Sequence, residues 1–131
     1  QALQAVSDAG YVALTEGAWA ETQAAWAETG GHPGEPAEDV HGDVLVSGSS
    51  TVEPISSLVA ERFSGANPAA GVSVDGPGTG DGFELFCNGE TDISDASRPI
   101  EDEEIAACED AGIEFVELQI GLDGLSILTK A

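Results

Sequence analysis

Apolar positions along the chain change period more than once, and the changes divide the sequence. Residues 11–14 alternate as a short strand. A helical stretch follows over residues 18–28, with Trp19, Gln23 and Trp26 on one face at i, i+4, i+7 spacing. Such a tryptophan stripe predicts packing into a core. Residues 30–42 then lose all periodicity. They hold a Gly-Gly pair, two prolines, both histidines and several acids, a composition that reads as a linker. His32 and His41 stand beside acids there, but a flexible segment does not fix ligand geometry, so no metal or other cofactor is expected.

From Asp43 strands and helices alternate. Val44, Leu45 and Val46 form a short apolar strand, and Ile55, Leu58, Val59 and Phe63 mark an amphipathic helix with Pro54 in its first turn. Asn67-Pro68 ends it. Val72 and Val74 give a second strand, followed by a glycine-rich run, residues 76–82, and a short helix over 83–87. A third strand is predicted over 91–96. Acids from Glu101 to Glu104 open a further helix, where negative charge complements the dipole. Strand-like runs at 114–120 and 125–129 close the chain. The alternation predicts an α/β layer structure with a mainly parallel sheet.

Charge narrows the possible partners. Twenty-five acidic residues face only Arg62, Arg98 and Lys130, for a net charge of -22. Nothing in that balance can displace counterions from nucleic-acid phosphates or attract an anionic membrane. Self-repulsion weakens a compact state at low ionic strength, and at molar salt the screening length falls to roughly 3 Å. The composition therefore predicts adaptation to very salty surroundings. No run of 18 apolar residues occurs, and residues 1–10 lack the basic start and apolar stretch of a signal peptide. Any targeting segment is expected outside this chain. Cys87 and Cys108 are too far apart for a CxxC motif. A structural disulfide in an oxidising compartment is the preferred reading, and a pair of buried thiols is the alternative.

Three loops occupy the same structural place, after a strand and before a helix, where open α/β sheets bind ligands. They are residues 48–51, 76–82 and 96–99, and they contain hydroxyls, glycines and Arg98. Hydroxyls and close-approaching backbone N–H groups donate to an anion, helix N-termini add positive dipole ends, and a guanidinium forks onto two oxygens. The set predicts an oxyanion cradle, although turn geometry alone also selects such residues. Other site types lack essential parts. The glycine run has no Gly-Lys-Ser/Thr ending and does not match G-x-G-x-x-G, and no G-x-S-x-G elbow occurs. Among 25 acids, pairs such as Asp92 and Asp95 arise by coincidence, so no catalysis is expected.

The stretches Val46-Ser-Gly-Ser-Ser-Thr-Val-Glu-Pro-Ile55, Gly78-Thr-Gly-Asp-Gly-Phe83 and Cys87 through Arg98 to Ile100 resemble the phosphate-binding protein of phosphate-specific ABC transporters. The resemblance covers about Asp43 to Lys130. It implies one three-layer α/β lobe of a type II periplasmic-binding-protein fold, extracytoplasmic in its parent protein and docking there with the transporter's membrane subunits. It further implies that Ser50, Thr51 and the backbone of Val52 hold inorganic phosphate from the first loop. Thr79 and Gly80 hold it from the second, and Ser97 and Arg98 from the third. It supports a Cys87–Cys108 disulfide. Telling phosphate from sulfate requires an acceptor for the proton that phosphate retains, and Asp95 and Asp81 are the candidates.

Two departures from the family accompany this. Relatives with an aspartate in the third loop place it where this chain has Ser97. The family's second lobe would follow Lys130, and residues 9–14 with the helix after them look like the family's C-terminal segment. The expected organisation is thus residues 1–29 as that segment, 30–42 as linker and 43–131 as the phosphate-binding part, together one domain. That order implies a circularly permuted first lobe, dissected or engineered in preference to natural. The expected function is weak phosphate binding by an isolated lobe. The alternative is a structural lobe that pairs with a second copy through its cleft or hinge edge.

Overall fold

A computed structural model describes residues 2–31 and 40–124. In chain order these form α1 (Ala2–Asp8), β1 (Val12–Ala13), α2 (Glu16–Glu28), β2 (Gly42–Gly48), α3 (Glu53–Ala66), β3 (Ala70–Asp75), α4 (Thr79–Cys87), β4 (Ile93–Asp95), α5 (Asp102–Ala111) and β5 (Gly121–Leu122). They group into two units, one drawn from Gln1–Pro33 with Leu118–Ala131, the other from Gly34–Glu117.

The second unit is built on a parallel sheet of order β3-β2-β4. Val44 pairs with Val72 and Val46 with Val74, so the β-branched residues of both strands share one face. On the other side β2 pairs with β4, Val46 opposite Ile93 and Gly48 opposite Asp95. The chain therefore moves from β2 to one neighbour through α3, then back past β2 to the other through α4. Right-handed crossovers in opposite directions place the two helices on opposite faces. Side chains agree: Ser56 of α3 bonds Asp95, whereas Gly82 of α4 lies against Ser94, the adjacent strand residue that points the other way. This gives the three-layer α/β arrangement expected from sequence.

Burial concentrates at the carboxyl end of the sheet. Along β2, Val46, Ser47 and Gly48 are buried while Gly42, Asp43 and Leu45 are exposed. Ile55, Ala70, Phe83, Cys87 and Cys108 complete the core of this unit. Cys87 and Cys108 form a disulfide that joins the end of α4 to α5. Phe86 and Phe115 meet edge to face, with ring centroids 6.4 Å apart.

In the first unit β1 and β5 pair antiparallel, and Ala5, Val6 and Leu14 are buried. Thr15 caps α2 by accepting the Ala18 N–H.

Several elements differ from the sequence reading. The tryptophan stripe of α2 packs only in part, with Trp19 and Gln23 half-buried. Thr22 is the buried residue and its hydroxyl donates to the Gln119 carbonyl at 2.7 Å, whereas Trp26 is 44% exposed. Trp26 lies at the end of the helix, where the chain turns back and lays Gly31 against its indole. In α3 only Ile55 of the four apolar positions is buried, with Val59 and Phe63 exposed. The helix expected over 83–87 begins four residues earlier, inside the glycine run. A Cβ on Gly82 would come within 2.5 Å of Gly48 Cα, so the glycine is there for close helix–sheet packing and not for a loop. Residues 114–120 alternate but have no strand partner among the described residues. The strand expected over 125–129 lies outside them, as do His32 and most of the linker.

Candidate functional site

The three candidate loops converge at the carboxyl ends of β2, β3 and β4, and main-chain hydrogen bonds tie them together. The Ser49 N–H donates to the Asp95 carbonyl at 2.8 Å, joining the first loop to the third. The Gly78 N–H donates to the Gly48 carbonyl at 2.8 Å, joining the second to the first. Gly48 has φ 147°, and a side chain there would collide with the Asp95 carbonyl, so glycine is required for this crossing. The second and third loops meet through side chains. Thr79 Oγ1 lies 3.1 Å from Ser97 Oγ and accepts the Ser97 N–H at 3.2 Å.

Within the first loop Ser49 is the organiser. It is 3% exposed; its hydroxyl accepts the Thr51 N–H, and its carbonyl accepts the N–H groups of Val52 and Glu53. The Val52 N–H expected to face an anion is therefore occupied by the turn. Ser50 is exposed and Thr51 half-buried. In the second loop Thr79, Gly80 and Asp81 form the first turn of α4, whose N–H groups have no acceptor within the helix. Thr79, Gly80 and Ser97 thus come together, and Ser50 and Thr51 follow the organised end of β2.

Asp95 is 6% exposed. One carboxylate oxygen accepts from the Ser56 hydroxyl at 2.9 Å and the other, Oδ2, is buried with no hydrogen-bond partner among the described residues. Its burial raises its pKa above the ordinary aspartate value; the Ser56 hydrogen bond opposes that and nearby Glu53 adds to it. Asp81, the other candidate acceptor, is exposed on α4.

Arg98 is placed differently from the sequence expectation of a free fork. Both terminal nitrogens donate to Glu104, at 2.9 and 2.7 Å, and one also donates to the Pro99 carbonyl at 3.0 Å. Nε lies 3.6 Å from Glu101, and the guanidinium carbon sits 5.3 Å from the centre of the Phe83 ring. The Glu104 hydrogen bond raises the Arg98 pKa further, and the same bond lowers that of Glu104. Sequence reasoning missed Ser49, Ser56, Phe83 and Glu104 as residues that shape the site. Only the i, i+3 spacing of Glu101 and Glu104 could have flagged one of them, as a capping box.

A family model described as a PBP superfamily domain matches residues 22–131. Protein SphX of Synechococcus elongatus is 51% identical over 87 residues, covering 66% of this chain and 26% of that protein. The phosphate-binding protein PstS of Staphylococcus haemolyticus is 44% identical over 90 residues, covering 69% of this chain and 28% of that protein. The chain thus spans about a quarter of the length of these relatives. Among solved structures, a possible phosphate binding protein from Planctomyces limnophilus aligns with a TM-score of 0.57 at 46% identity, covering 58% of this chain and 27% of that one.

Proposed function

This chain belongs to the PBP superfamily, and on that premise we propose that it carries part of a receptor for inorganic phosphate. The observation that carries the reading is the hydrogen-bonded convergence of the three loops, with Thr79 and Ser97 side by side. On this reading the hydroxyls of Ser50, Thr51, Thr79 and Ser97 and the free amides of Thr79 and Gly80 donate to the phosphate oxygens. The Val52 turn presents the first pair. Arg98 supplies positive charge beside Ser97. Nothing is cleaved or transferred; the site holds its ligand through hydrogen bonds and releases it.

A phosphate that retains a proton needs an acceptor, and the unpartnered Oδ2 of Asp95 favours that residue over Asp81. Ser50, Gly80 and Ser97 are exposed, so an anion on these loops keeps much of its hydration and binds weakly. The names of the relatives support inorganic phosphate as the anion. In the parent protein we place the chain outside the cytoplasm, delivering phosphate to the membrane subunits of an ABC transporter, and the disulfide fits an oxidising compartment. The net charge of -22 supports a salt-rich setting. We read the chain order as permuted, a reading supported by the pairing of β1 with β5 within the first unit.

A second reading, self-association, is favoured by the exposure of Leu45 and Ile93 on the sheet. Light scattering together with phosphate titration separates the two. A monomer that binds phosphate supports the receptor reading, and a dimer that does not bind supports the second.

A further inference from the structure

Thr79, Phe83 and Cys87 stand four residues apart and form one stripe along α4. Each meets a different part of the segment that follows β4. Thr79 bonds Ser97, Phe83 lies under the Arg98 guanidinium, and Cys87 is joined to Cys108. Glu104, one turn before Cys108 on α5, closes the arrangement by holding Arg98 with both carboxylate oxygens. We infer that Glu104 is a positioning residue for the oxyanion site: it fixes Arg98 on Phe83 and thereby holds Ser97 against Thr79. The disulfide keeps the helix of Glu104 in register. This inference rests on the proposal that Thr79 and Ser97 bind phosphate.

The hydrogen-bond inventory supports a strut. A guanidinium has five N–H groups. Those of Arg98 donate to the Pro99 carbonyl and to both oxygens of Glu104, while Nε, 3.6 Å from Glu101, and one N–H of Nη2 make no hydrogen bond among the described residues. Glu104 therefore occupies the Nη1–Nη2 edge of Arg98, the edge that would otherwise fork end-on onto an anion. The Glu104 carboxylate is itself fixed from a second direction, since Oε2 also accepts the Glu101 N–H at 2.9 Å as half of the capping box. Its main chain lies beside the disulfide: the Glu104 carbonyl is 3.5 Å from Cys87 Sγ, and Cys108 is fully buried.

Charge alone predicts the opposite of positioning. Glu104 adds a negative charge near an anion site, so a purely electrostatic or competing role means that Glu104→Gln tightens phosphate binding. Positioning means that it weakens binding, because Ser97 loses its support. The test is calorimetric titration of the full chain with inorganic phosphate in molar salt, for wild type, Glu104→Gln and Glu104→Asp. Alongside it, phenylglyoxal modification of Arg98 is measured by mass spectrometry, with Arg62 as the internal reference.

Glu104→Gln is expected to weaken phosphate binding about tenfold, the scale of one charge-assisted hydrogen bond. It is also expected to raise the Arg98 modification rate relative to Arg62. Glu104→Asp, which keeps the charge, shows a smaller change in both, and reduction of the disulfide accelerates Arg98 modification in the folded protein. Unchanged or tighter phosphate binding by Glu104→Gln overturns the inference. If wild type gives no phosphate binding, the receptor reading fails, and the Arg98 rate alone then decides: acceleration in Glu104→Gln supports the strut, and an unchanged rate overturns it.

Discussion

Thr79 and Ser97 are joined twice, hydroxyl to hydroxyl at 3.1 Å and through the Ser97 N–H to Thr79 Oγ1 at 3.2 Å. Eighteen residues separate them in sequence, so these two bonds tie the second loop to the third. Thr79→Val removes both bonds while keeping side-chain volume. It is expected to weaken phosphate binding at least about tenfold. Thr79→Ser, which keeps the oxygen, is expected to bind nearly as wild type. Calorimetry on the two variants checks this, and equal binding by Thr79→Val would place the anion elsewhere.

Asp95 gives a pH dependence of defined sign. Burial raises its pKa in the folded state above the ordinary 3.8, so folding favours the protonated form. The stability associated with that form is complete below pH 3.8 and is lost as pH rises through the higher folded value. Asp95→Asn mimics the neutral acid. Its melting temperature is expected to exceed that of wild type at neutral pH, with the gap closing as pH falls toward 3.8. A gap that stays constant from pH 3 to 7 would show that Asp95 folds without a shift.

Gly82 fixes how closely α4 approaches the sheet. A Cβ there would meet Gly48 Cα at 2.5 Å and the Ser47 carbonyl at 2.9 Å, both main-chain atoms that cannot swing aside. Gly82→Ala is expected to destabilise the fold by about 1–3 kcal/mol, the usual range for overpacking. The variant is also expected to loosen the site, because the same helix begins at Thr79. Urea unfolding of the variant reads the first effect, and an unchanged midpoint contradicts the packing argument.

The acidic surface predicts a salt requirement. Between 0.1 M and 1 M salt the screening length falls from about 10 Å to about 3 Å, so repulsion among 25 acidic side chains is largely removed. The melting temperature is expected to climb steeply over that range in sodium chloride. A flat salt series would mean that the charge is tolerated without screening.

The legible parts of this molecule were those carried by local pattern. Valines alternating at 44, 46, 72 and 74 announced two strands, and glycine-hydroxyl runs after strands announced the loops. Tertiary use of a residue was not legible. Glycines at 80 and 82 signal a loop by composition, yet both lie in a helix, and position 82 is glycine because a neighbouring backbone leaves no room for a side chain. Arg98 looked like a free anion ligand until the fold brought Glu104 to it from the next helix. Trp19 and Trp26 had core spacing, but Thr22, one step around the helix, faces the interior.

On the proposed function the loops hold phosphate through Ser50, Thr51, Thr79 and Ser97. Its most direct test is titration of inorganic phosphate into the full chain in molar salt, with sulfate as the comparison anion and Ser97→Ala as the comparison protein. The account predicts saturable binding of about one phosphate per chain, weaker binding of sulfate, and about a tenfold loss in Ser97→Ala. No saturable phosphate binding, or equal binding by Ser97→Ala, would contradict it.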